Sequence, residues 1–187
     1  MRVTHGMPQG WFAPTYRMMT ENYRDVKNRL APMITRASET AHRLELQNGA
    51  VIDFWSLDNF DAARGRKYKH VTVNEAAAAA NLIDAWNYVI RPTLADYEGG
   101  ADIGSTPKGM NGFYQLWQEA DGRPDWARVK FTTYDNPHIP RSEIDEMARA
   151  LPVQVFKQEI LAEFLADGSY FQNIDAAAVI DQPDTPD

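Results

Sequence analysis

The run His70-Val71-Thr72-Val73-Asn74-Glu75, with five alanines after it, narrows the choice of folds more than any other segment. Val71, Thr72 and Val73 are β-branched and favour an extended strand. The alanine block behind them is a strong helix former. A strand that passes directly into a helix is the unit of a sheet built by crossover connections, whose strands run parallel. The junction carries an amide and a carboxylate in place of turn residues. Open α/β sheets collect their chemistry at the carboxyl ends of strands, so Asn74 and Glu75 are candidates for a site.

The same alternation extends along the chain. "GWFAP" reads as a short buried strand stopped by Pro14. Residues Thr15 to Leu30 read as a helix capped by Thr15, with Tyr16, Met19, Tyr23, Val26 and Leu30 on one face. "HRLELQNGAVIDFWS" reads as a hairpin in which Asn48-Gly49 favours a type I′ turn. "LDNFDAARGRKYK" is a polar loop leading to the Val71 strand, and Ala76 to Tyr88 is a helix closed by Pro92. "GADIGS" and "ARVKFTT" read as strands, with the helix "MNGFYQLWQEA" and its inward-packing aromatics between them. Ser142 caps a helix over "SEIDEMARAL", and Pro152 opens another over "PVQVFKQEILAEFL". Strands alternating with helices predict a mostly parallel sheet covered on both faces.

With 187 residues the chain suits one domain with a sizeable core. It has no cysteine, which excludes disulfides and thiolate metal sites. No run approaches the roughly 20 apolar residues of a membrane span, and the first residues lack an apolar signal core. The net charge of -7 is unevenly placed: residues 1–91 carry 12 Lys/Arg against 9 Asp/Glu, and residues 92–187 carry 7 against 17. That balance argues against non-specific nucleic-acid binding by the whole surface. It leaves a local basic patch at "RGRKYK", Arg64 to Lys69.

Two strand ends carry chemistry. Glu75 can orient and partly deprotonate a water for attack on a γ-phosphate; an acid in the first turn of a helix is equally what the helix dipole favours. Asn74 can hold a metal-bound water, although an amide lacks the charge that Mg²⁺ prefers. Ser105-Thr106-Pro107 follows the "GADIG" strand, and the Thr106 hydroxyl can sense a neighbouring charge; a simple turn accounts for the same residues. A metallonuclease built on Asp53, Glu75 and Asp102 is a weaker reading, because no ligand spacing marks those acids as a cluster.

Seven runs occur in order: "APTYRMM" (13–19), "LQNGAVIDFWSLDNFDAARGRKY" (46–68), "VTVNEAA" (71–77), "RPTLAD" (91–96), "STPKGMNGFYQLW" (105–117), "TTYDNPHIPRSEID" (132–145) and "QEILAEFLADGSYF" (158–171). The series resembles the ATPase domain of the large terminase subunit of tailed bacteriophages, the DNA-packaging motor. The resemblance implies an incomplete P-loop NTPase-like fold of the ASCE type, a mostly parallel α/β sheet flanked by helices. It implies that residues 71–75 are the Walker B strand, with Glu75 the catalytic glutamate and Asn74 where the family has aspartate, touching metal through a water. Ser105, Thr106 and Pro107 match the coupling motif, and Arg64 the region that supplies an arginine finger to a neighbouring subunit. ATP and Mg²⁺ are the implied cofactors. Double-stranded DNA, the portal protein, the small terminase subunit and further copies of the chain are the implied partners, in the cytoplasm of a bacterial host.

The resemblance also sets out what is missing. No G-x-x-x-x-G-K-[ST] occurs in these residues; in the family that phosphate loop lies just upstream of the strand matching "GWFAP". Its strand is expected beside the Walker B strand, so that sheet edges are left uncovered without it. Residues 1–9 are then an N-terminal extension, 10–174 a partial ATPase domain, and 175–187 a polar tail where an RNase H-like nuclease domain would begin. The isolated chain is expected to be inactive, either as a segment of a packaging ATPase or as a degenerate remnant serving as a binding or assembly module.

Overall fold

The computed structural model describes residues 6–166. They fall into two compact units, divided after Val129. The first holds a six-stranded sheet: β1 (Gln9–Ala13), β2 (Ile34–Ser38), β3 (Arg43–Leu46), β4 (Val51–Ser56), β5 (His70–Asn74) and β6 (Gly100–Gly104), in the order β2-β3-β4-β1-β5-β6. Strands β4, β1, β5 and β6 run parallel; β3 pairs antiparallel with β4, and β2 antiparallel with β3. The mostly parallel sheet expected from the sequence is therefore present. The position beside the Val71 strand is not vacant, however. β5 has β1 on one side and β6 on the other, and the edges of the sheet are β2 and β6.

One face of the sheet is covered by α1 (Tyr16–Arg29). Thr15 caps it, its side chain accepting from the Met18 amide at 3.3 Å. The three-to-four spacing of Met19, Tyr23 and Val26 brings them onto Ala13, Leu44, Leu46, Ile52 and Phe54. Period-2 alternation sends Phe12, Val71 and Val73 to the opposite face, where all three are buried. Gly10 and Asp53 are paired in register on that face, and the Tyr68 ring lies over Gly10. A Cβ at Gly10 would come within 2.9 Å of that ring. The Tyr68 hydroxyl donates to Asp53 Oδ2 at 3.0 Å and accepts from Trp55 Nε1 at 2.7 Å. Arg43 from β3 donates to Asp53 Oδ1 at 3.1 Å. The buried carboxylate thus has a partner on each oxygen.

Several local expectations are corrected. The turn between β3 and β4 is not a type I′ turn centred on Asn48-Gly49: the Gly49 amide donates to the Leu46 carbonyl at 2.9 Å, which centres the turn on Gln47-Asn48, neither at positive φ, and Gly49 follows at φ 81°; the Ala50 amide donates to Asn48 Oδ1. The sequence pattern does not predict β2. The Ala76–Tyr88 helix is broken: a 3₁₀ turn (Ala76–Ala78) is followed by α2 (Leu82–Ala85), a π-helical turn (Trp86–Ile90) and α3 (Arg91–Thr93). Pro92 lies inside this stretch and does not close it, because it falls at the start of α3, where a missing N–H is tolerated. Next come α4 (Gly112–Glu119), which buries Phe113 and Leu116, and the segment "ARVKFTT". That segment alternates like a strand but joins no sheet; Val129 and Phe131 are 63% and 72% exposed. Alternation fits a residue run to a strand but does not supply a neighbour to pair with.

The second unit, described to residue 166, holds α5 (Arg141–Ala150) and α6 (Val153–Glu159). The cap residue of α5 is Pro140, and Ser142 lies within the helix. α6 ends at Glu159, short of Leu165, with Ala162 at φ 50°. The Thr133 amide donates to the Ile160 carbonyl at 2.8 Å, tying the segment before α5 to the residue after α6. Asp135 accepts from the Thr132 amide and hydroxyl at 2.7 and 2.8 Å, and these bonds hold its carboxyl below the usual range. The polar tail 175–187 lies outside the described residues, as does the end of the "QEILAEFLADGSYF" run.

Candidate functional site

Parallel pairing sets the site. Asn74 and Gly104 face each other across β5 and β6, so the residues that leave the two strands, Glu75 and Ser105, emerge side by side. Ser105 Oγ donates to Glu75 Oε2 at 3.4 Å, a long bond for a hydroxyl and a carboxylate. Glu75 adopts φ 53° and ψ 42°, the left-handed region, which costs an L-residue with a side chain roughly 1–2 kcal/mol. That backbone turns the chain sharply off the strand, and the alanines behind it begin the 3₁₀ turn. Half-buried Asn74 and Glu75 are at the carboxyl end of the sheet. Thr106 is exposed there, while Pro107 is buried beneath it.

A residue that the sequence reading passed over completes the frame. Asn111 Nδ2 donates to the Ala77 carbonyl at 2.7 Å, and its Oδ1 accepts from the Phe113 and Tyr114 amides, capping α4. Asn111 thereby fastens the start of α4 to the turn behind Glu75. Its signal was legible, since an asparagine directly before an apolar run is an N-cap pattern.

Arg64 is not in this cluster. It follows the 3₁₀ stretch Leu57–Ala63. Its Nε donates to Asp61 Oδ1 at 2.6 Å and its Nη1 to the Tyr88 carbonyl at 3.2 Å. The rest of the basic patch is tied down as well. Arg66 stacks 5.3 Å from the Trp55 ring centre, Lys67 pairs with Asp96, and Lys69 Nζ donates to the Tyr97 carbonyl at 2.8 Å. Asp96 holds the Lys67 ammonium above its ordinary range.

The metallonuclease reading does not hold. Asp53 is buried against Arg43 and Tyr68, and Asp102 pairs with His70 at 3.0 Å. Among the described residues no group of three acidic, histidine or cysteine side chains could hold a metal. A divalent ion at Asn74 would therefore depend on ligands from elsewhere, and substrate phosphates are the usual source. No helix among the described residues is long and apolar enough to cross a membrane.

The mostly parallel sheet, with Glu75 leaving one strand beside Ser105 leaving the next, has the P-loop-like α/β architecture of the ASCE type found in terminase ATPase domains. The solved structures that the chain resembles have this architecture. It matches the ATPase domain of the Thermus phage P74-26 large terminase at a TM-score of 0.71 and 26% identity, over 86% of this chain and 77% of that one. It matches the large terminase of another thermophilic bacteriophage at a TM-score of 0.71 and 12% identity, over 87% of this chain and 42% of that one. That second protein has also been solved with ADP and with ATP-gamma-S. The profile described as "Terminase large subunit, T4likevirus-type, N-terminal" matches residues 4–179, and the chain belongs to this family. The large terminase subunit of Escherichia phage T5 is 28% identical over 170 residues, covering 88% of this chain and 39% of that protein. That of Thermus phage G20c is 30% identical over 136 residues, covering 64% and 28%. The chain thus spans well under half the length of these curated relatives.

Proposed function

We propose that this chain is part of an ATPase motor that drives double-stranded DNA into phage capsids. What carries the reading is the pairing of Glu75 with Ser105 at adjacent strand ends, in a chain of the terminase family. Glu75 accepts a proton from the water that attacks the terminal phosphate of ATP. Ser105, Thr106 and Pro107 register the change at Glu75 and pass it to β6. Arg64 neutralises charge on the phosphoryl group of a neighbouring subunit. Mg²⁺ would be held by Asn74 through a water together with the phosphates of the nucleotide, and would supply charge neutralisation to the transferring phosphoryl group. Portal protein, small terminase subunit and further copies of the chain are the partners of this reading, and the cytoplasm of a bacterial host is its setting.

The test joins the chain to the phosphate-loop segment of its phage T5 relative and replaces Asn74 by Asp. The folded fusion is expected to hydrolyse ATP, and Glu75→Gln to abolish turnover, because the amide keeps the shape and cannot accept the proton. Turnover that survives Glu75→Gln removes Glu75 from the role. The second reading, a non-catalytic binding or assembly module, is favoured by the uncharged Asn74. It takes over if the folded fusion binds no ATP by calorimetry.

A further inference from the structure

The proline at position 92 and the arginine at position 64 are linked through one carbonyl. In a regular helix the Tyr88 carbonyl would accept from the amide of residue 92. Residue 92 is proline and has no N–H, and the stretch before it widens into a π-helical turn. Arg64, 24 positions upstream, donates Nη1 to that carbonyl at 3.2 Å. Asp61 takes its Nε at 2.6 Å from the other side. Arg64 nonetheless remains more than half exposed. The next residue, Gly65, takes φ 77° with nothing within 4 Å of where a Cβ would stand. The chain can therefore turn away directly behind Arg64 without covering it.

We infer that Asp61 and the proline-freed Tyr88 carbonyl form a brace that fixes Arg64 in the pose from which it reaches a neighbouring subunit's phosphate. This inference rests on the finger role of Arg64 proposed above and adds the residues that set its geometry. A long arginine side chain loses rotamer freedom when it docks. Its two acceptors, the Asp61 carboxylate and the Tyr88 carbonyl, orient it before docking, so its remaining donors meet the phosphoryl charge already directed. Asp61 acts through Arg64 and is a positioning residue. An isolated exposed ion pair contributes little to stability, so the effect of Asp61 is expected in turnover and not in folding.

Two measurements test the brace. In the chain itself, ¹⁵N spectra should show the Arg64 Nε–H as a separate, slowly exchanging signal that disappears in Asp61→Ala. In the fusion described above, Asp61→Ala should lower kcat on the order of tenfold, less than the roughly hundredfold that a one-ångström misplacement can cost. KM for ATP, the melting temperature and the sedimentation profile should stay unchanged. Asp61→Glu should restore part of the rate. In the Arg64→Ala background, Asp61→Ala should have no further effect, since the two act as one unit. Losses that multiply in the double variant overturn the brace, as does a kcat that rises in Asp61→Ala, which would mean that Asp61 restrains Arg64. If Arg64→Ala abolishes turnover while Asp61→Ala is neutral, the finger stands and the brace falls. If Arg64→Ala leaves turnover unchanged, both fall.

Discussion

Glu75 occupies a backbone region that glycine enters freely and glutamate does not. An acid held at φ 53° keeps its conformation because the flanking strand and the Asn111 anchor determine it, and such positions concentrate at functional sites. Glu75→Gly should therefore raise stability by up to about 1 kcal/mol in chemical denaturation, the relief of strain being partly offset by the greater unfolded freedom of glycine. Glu75→Gln should change it by less than about 0.5 kcal/mol. A loss above about 1 kcal/mol in Glu75→Gly would show that the side chain supports the fold and that the position is not strained for function. A second residue-scale expectation concerns Tyr68. Burial, with Asp53 close by, pushes the phenol well above its ordinary range. With the folded pKa raised, the stability is fully present below about pH 10 and is lost as pH rises beyond it, because the unfolded phenol ionises first. Tyr68→Phe strands Asp53 Oδ2 and Trp55 Nε1, so it should be less stable at pH 8 by about 1–3 kcal/mol. That gap should narrow steadily above about pH 10 in parallel urea titrations; a constant gap would mean that Tyr68 ionises in the folded protein as it does in the unfolded chain.

Among the elements, those with a self-contained pattern were legible. The apolar stripe and threonine cap of α1, the β3–β4 hairpin and the strand ends at Asn74 and Gly104 all follow from local chemistry. β2 was not legible, because Ile34–Ser38 is half polar and exposed over most of its length, and an edge strand needs no apolar alternation. The segment "ARVKFTT" fails in the opposite sense: its pattern is that of a strand, but it pairs with no strand among the described residues. The helix after Glu75 departs from expectation because alanine propensity is a weak local preference. The left-handed turn, the 3₁₀ stretch and the proline override it. At the site, Glu75, Asn74 and Ser105 could be placed by their position at strand ends. The brace on Arg64 could not, since no spacing rule joins Asp61 to a carbonyl 27 residues away.

For the whole molecule, the finger role makes a prediction that no single chain can satisfy. Fusion subunits carrying Arg64→Ala, mixed with subunits carrying Glu75→Gln, should regain some ATPase activity, because an intact Arg64 would face an intact Glu75 across some boundaries. Arg64→Ala alone should lower turnover while hardly altering sedimentation, one rim charge contributing little to affinity. Mixed oligomers without any recovery would place Arg64 outside trans catalysis. The sheet order bears on how the molecule comes to exist at all. β1, the third of these strands in from one edge, has both its neighbours, β4 and β5, encoded later in the chain. During translation its second partner is complete only about sixty residues after β1 itself, which at roughly 5–20 residues per second is several seconds. The β3–β4 hairpin closes within microseconds of emerging. The ribosome thus releases a preformed hairpin that can dock on β1 through β4, while the β5 side of the apolar "GWFA" stays open, and that edge is where a nascent chain of this kind would call on a chaperone.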